Sequence, residues 1–206
     1  MTSQLKNWLG PAPRTAPPEV PGYELYSYER LRIGRLGLLG LALLPIWFIL
    51  YMASLSALGG RTSYSGNITL GTLLGLVLVF VGVTALHELL HGLPAVLLGA
   101  RPAFGMGPGY FYATFHEPMG RWGYLTVGLA PLVVINTACV VLALLEPDWA
   151  GWLLVISLYN FSGASGDLWM AYRIFRAPAN ARFYDLADGF AVLVPAATDA
   201  PREAVR

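Results

Sequence analysis

The sequence predicts an all-α membrane protein: a four-transmembrane-helix bundle with a cytoplasmic-side β-hairpin-like loop between helices 2 and 3. Three observations carry this expectation. Of 206 residues, 56% are hydrophobic and only 12% charged, about half the charged share of a soluble domain. Four stretches qualify for the roughly 20 apolar residues that a spanning helix needs. The basic residues gather at alternate connections, the pattern that sets the orientation of membrane helices. Mean hydropathy is +0.56. Net charge is +1, so no basic footprint points to nucleic acid. The one cysteine, Cys139, excludes an internal disulfide and a thiolate zinc cluster.

Residues 1–22 hold Pro11, Pro13, Pro17, Pro18 and Pro21 and read as a proline-rich flexible tail without a core of its own. Residues 23–176 read as the membrane-embedded domain. Its first part, Tyr23 to Arg35, alternates aromatic and charged residues and is expected along the inner headgroups. Helices are expected at about 36–58, 69–98, 122–145 and 149–175. The first apolar stretch begins too far from residue 1 for a cleavable signal peptide. Pro45 and Pro131 lie inside apolar runs and are expected to kink their helices rather than end them. Trp149 and Trp152 at one end of the fourth stretch, and Trp169 and Tyr172 at the other, suit interfacial belts. Residues 177–206 read as a cytoplasmic C-terminal tail. Placing both termini inside puts 12 of the 13 basic residues on the cytoplasmic side.

The chemistry is concentrated in His87-Glu88-Leu89-Leu90-His91. On a helix, residues i and i+4 share a face, so two imidazoles can hold one cation while Glu88 takes a proton from the water it activates. Only three histidines exist, and two fall in this pattern. Histidines merely hydrogen-bonded within the bundle, or ligating haem, would not need the glutamate between them. A carboxylate in the bilayer costs about 2.5–3.5 kcal/mol on insertion scales, which marks an intramembrane acid as a functional candidate. Asp167 is such an acid. It lies 18 residues after Trp149, as His87 lies 18 after Thr69, so both are expected at similar depth. Zinc with neutral His87 and His91, Asp167 and Glu88 sums to zero charge, the cheapest state away from water. Rival third ligands are Asp188, Asp185, His116 and Glu117.

Asn160 lies two turns before Asp167 and is a candidate substrate contact or a link to a neighbouring helix. Asn136 is expected to bond within the bundle. The loop from Ala100 to Arg121 is broken by glycine and proline, and Tyr110 to Phe115 is β-prone. Tyr110 and Tyr112 are therefore candidate substrate-binding residues on an edge strand that receives an unwound peptide.

The residues His87 to Gly92, Leu129-Ala130-Pro131, and Asn160 to Asp167 resemble the putative zincin peptidase family of multi-pass membrane proteins, over roughly residues 35–194. More distantly they resemble site-2 protease-type intramembrane zinc metalloproteases. The resemblance implies zinc on His87, His91 and Asp167, with Glu88 catalytic. It implies hydrolysis of a transmembrane or membrane-proximal peptide substrate. The sequence departs from site-2 proteases where Asn160 is followed by Phe161 and Asp167 by Leu168, instead of proline and glycine. Asp188-Gly189 does carry that second pair, which keeps Asp188 as the alternative ligand. The alternative function is a catalytically inactive metal-binding scaffold that binds helices without cleaving them. A metal transporter would need further ligands along a path, and the apolar stretches offer only this one cluster.

Overall fold

A computed structural model describes residues 6–60, 69–107 and 110–196. Five α-helices and seven strands follow one another among the described residues. They are β1 (Lys6–Leu9), β2 (Tyr23–Arg30), α1 (Ile33–Ala57), α2 (Leu70–Leu97), β3 (Pro102–Gly107), β4 (Tyr110–Phe115), β5 (Met119–Gly120), α3 (Arg121–Leu145), α4 (Ala150–Gly163), α5 (Ser165–Arg176), β6 (Arg182–Leu186) and β7 (Gly189–Pro195). A single 3₁₀ turn, Pro147–Trp149, leads into α4.

Among the described residues three helices are long and apolar enough to cross a membrane: Gly34–Ala57, Leu70–Leu97 and Arg121–Leu145. This is compatible with a membrane protein. The expected fourth span is instead two short helices. Gly163 and Gly166 are poor helix formers at the junction, and α5 carries Asp167 in its first turn and Arg173 and Arg176 in its last. Those charges match the helix dipole at each end and make α5 amphipathic instead of lipid-facing all round.

The all-α bundle must be corrected in a second respect. Strands form two antiparallel sheets, one in the order β1-β3-β4 and one in the order β2-β7-β6-β5. The stretches read as N- and C-terminal tails and as a headgroup-lying segment supply β1, β2, β6 and β7. Their cohesion comes from aromatic burial: Phe183, Tyr184 and Phe190 are at most 1% exposed. Phe183 and Phe190 pack with Tyr124 of α3, Ala95 of α2 and Ile174 of α5 in one core. Burying a phenylalanine is worth about 1.5–3 kcal/mol, so this core fastens the sheet to the helix ends.

Ala187-Asp188 form the two-residue loop between β6 and β7, and Gly189 opens β7 opposite Leu186. A Cβ on Gly189 would lie 1.8 Å from Glu29 O of β2, so only glycine allows this approach.

Within the helices a second core joins α1, α2, α3 and α4 through Tyr51, Leu55, Val83, Ile135, Cys139 and Leu153. Its polar groups are paired. Trp47 Nε1 donates to Ser157 Oγ, which donates to Asn136 Oδ1, and Asn136 Nδ2 returns to Leu132 O in its own helix. Asn136 thus serves the packing of α3 against α4.

Candidate metal centre

Helix α2 begins with Thr69 as N-cap in a reciprocal capping box with Thr72, which satisfies two of its otherwise orphaned N–H groups. Towards its far end Leu86, Leu89 and Leu93 are exposed, while His87, Glu88 and His91 turn inward and border a cavity of about 540 Å³. The helical period makes this division: residues 87, 88 and 91 share one face and the leucines the other.

Asp167, in the first turn of α5, faces both rings. His87 Nε2 lies 3.2 Å from Asp167 Oδ2 and His91 Nε2 3.6 Å from Asp167 Oδ1. The three ligand atoms all fall within 4.8 Å of one another. Tetrahedral zinc with bonds of about 2.0–2.1 Å sets its ligand atoms roughly 3.3 Å apart, and the two carboxylate–imidazole separations bracket that value.

The hydrogen bonds behind the rings decide which nitrogens carry protons. His91 Nδ1 is 2.8 Å from Val127 O. A carbonyl only accepts, so this Nδ1 carries the proton and Nε2 of the neutral ring presents a lone pair. For His87 the logic runs one residue further. Asn160 Nδ2 donates to Pro131 O at 3.3 Å, which turns Asn160 Oδ1 towards His87 Nδ1 at 2.9 Å. That nitrogen is therefore also the donor, and in the neutral ring its Nε2 is also bare. Asp167 Oδ2 is buried and accepts no hydrogen bond among the described residues. Three lone-pair donors converging without a proton between them repel one another unless a cation sits among them. The donor set of two imidazoles and a carboxylate suits zinc.

Glu88 stands beside this cluster, its carboxylate accepting the backbone N–H of Ala113 in β4. Strand β4 is an edge of its sheet, and Tyr110 and Tyr112 line the same cavity. Asn160 is 2% exposed. Its amide is committed to His87 and to Pro131, and it also borders a smaller cavity of about 250 Å³.

The rival ligands lie outside the His87–His91–Asp167 cluster of ligand atoms. Asp188 accepts the Tyr28 hydroxyl and lies 3.7 Å from Arg30 Nε. His116 Nε2 approaches Pro11 O at 3.4 Å, and Glu117 accepts Arg101 N–H. Asp185, in β6, lines the cavity and accepts the Tyr124 hydroxyl at 2.9 Å. Burial pushes its carboxyl up from 3.8 to about 6, against hydrogen bonds from Tyr124 and the Phe115 N–H that favour the charged form. Sequence reasoning missed Tyr124 and placed Asp185 only among rival ligands. The available signal was the Arg182–Pro195 segment itself, two β-prone runs on either side of Ala187-Asp188.

Fold and site together define a protein with membrane-type helices and a helix-borne His-His-Asp centre. Residues 80–182, half of the chain, match the model of the family described as putative zincin peptidase, and the match spans both histidines, Glu88 and Asp167. The chain belongs to that family. Membership points to metallopeptidase activity and to zinc as the metal. Comparison with curated proteins and with solved structures finds no match.

Proposed function

We propose that this chain is an intramembrane zinc metalloprotease, similar in working principle to site-2 proteases, that cleaves transmembrane or membrane-proximal peptide bonds. The carrying observation is the convergence of two bare Nε2 atoms and the Asp167 carboxylate at the inward face of a 28-residue apolar helix. His87, His91 and Asp167 would hold the metal. Bound there, zinc supplies Lewis acidity and eases deprotonation of water.

The remaining work falls to the chain's own groups. Glu88 takes the proton of the attacking water and returns it to the leaving amine, so the peptide C–N bond breaks with protons in balance. A helical peptide bond is shielded until it extends. Strand β4 offers an edge for that extended form, and the bond from Ala113 N–H to Glu88 brings the base to the same edge. Tyr110 and Tyr112 would flank the substrate there. The pairing of β2 with β7 gathers the start of α1 and the end of α5 at one end of the helices, which supports both termini lying on one side, the cytoplasmic one by the basic-residue count.

The test is cleavage of a transmembrane reporter in zinc-loaded proteoliposomes. Wild type cuts. Glu88→Gln keeps its zinc and loses at least about 100-fold in rate, the contribution of a positioned base. Wild-type rates in Glu88→Gln overturn the proposal.

A further inference from the structure

The two carbonyls that set the histidine tautomers lie one turn apart in α3, at Val127 and Pro131. In an α-helix the N–H of residue i bonds to the C=O of residue i−4. The donor owed to Val127 O is therefore the N–H of residue 131. Residue 131 is proline, which has none. A proline within a helix ordinarily leaves an orphaned carbonyl four residues back. Here that carbonyl is filled by a side chain from another helix, His91 Nδ1–H at 2.8 Å. Pro131 acts a second time through its own oxygen, which takes the Asn160 amide and so directs Asn160 Oδ1 onto His87.

We infer that Pro131 is a positioning residue for the metal centre, fixing the tautomer and the aim of both histidines from a helix that contributes no ligand. This inference rests on the metal reading above. Pro131 touches neither metal nor substrate. It is fully buried, and α3 packs against both α2 and α4, the helices that carry His91, His87 and Asn160. Restoring a backbone N–H at residue 131 would give Val127 O a helical donor and set it in competition with His91. The ring would then be free to rotate, or to place its proton on Nε2, the atom that must face the cation. Partners of this kind, hydrogen-bonded to a ligand's far nitrogen, change metal affinity by about 10–100-fold when removed.

The experiment is a zinc competition titration on the purified full-length chain in detergent. Wild type is compared with Pro131→Ala, with Pro45→Ala as a proline control on a helix without ligands, and with residue 131 replaced by lactic acid. Lactic acid has the shape of alanine but an ester oxygen in place of the N–H. Pro131→Ala is expected to weaken zinc binding about 10–100-fold. The lactic-acid substitution recovers wild-type affinity, because it lacks the competing donor, and Pro45→Ala leaves affinity unchanged. A folded Pro131→Ala chain with wild-type affinity overturns the inference. So does equal weakening by alanine and lactic acid, which would assign the effect to the ring and the kink. Should Pro131→Ala fail to fold, ¹⁵N spectra of the zinc-loaded wild type decide. Protons on Nδ1 of both His87 and His91 support the inference, and a proton on Nε2 of either overturns it. A wild-type chain that takes up no zinc removes the metal reading itself, a result distinct from intact binding that ignores residue 131.

Discussion

Replacing Asp167 by alanine tests the centre at its most informative position. The carboxylate approaches both rings, at 3.2 and 3.6 Å, and it joins α5 to α2. Structural zinc sites with four protein ligands carry apparent binding free energies of about 10–16 kcal/mol near neutral pH. Shared among four ligands, that is about 2.5–4 kcal/mol each, or about 10²–10³ in affinity at 1.4 kcal/mol per decade. Charge balance works in the same direction, because losing Asp167 removes a negative charge from beside the dication in apolar surroundings. Zinc content after dialysis and a chelator competition titration measure the change. Asp188→Ala is the matched comparison. Its carboxylate is held on the β6–β7 turn by Tyr28 and Arg30, so its loss should leave zinc affinity unaltered. Binding by Asp167→Ala within about threefold of wild type, or collapse of binding in Asp188→Ala, would refute the assignment.

Further outcomes are expected. Gly189→Ala places a methyl 1.8 Å from Glu29 O and must push β2 off β7, an overpacking cost of about 1–3 kcal/mol in unfolding free energy. Gly82→Ala, with nothing within 4 Å, should be neutral or slightly stabilising in the same melts. Asp185 has a folded-state pKa above its unfolded one, so the stability it contributes is present below pH 3.8 and lost as pH rises towards about 6. Asp185→Asn stays uncharged, so in zinc-free protein it should gain on wild type across that window by up to about 3 kcal/mol. Thermal unfolding at several pH values checks this, and a stability difference that does not vary with pH refutes it.

The centre was the most legible part of the chain because its information is local. His87, Glu88 and His91 are placed by helical period alone, and Asp167 stands out as an acid in apolar surroundings. What sequence could not supply was tertiary pairing. The tautomers depend on Val127 O and on Asn160, read only as a substrate contact or helix link, whose amide is committed to His87 and Pro131. The sheets were missed for a related reason. Glu29 and Phe190 are register partners despite lying at opposite ends of the chain, and Asp188, in the loop between β6 and β7, was weighed as a possible ligand. The expected fourth span failed because apolar character continues through Gly163 and Gly166 while backbone regularity does not.

The clasp of β2 on β7 bears on how the chain can be cut. The family segment, residues 80–182, stops at the first residue of β6. A fragment trimmed to it would lose Phe183 and Phe190, and with them the aromatic plug between α3 and α5. It would also shed Asp185 and the wall that the hairpin gives the cavity beside His87 and His91. Expression boundaries should therefore run from before Tyr23 to beyond Pro195, keeping the two ends that hold each other.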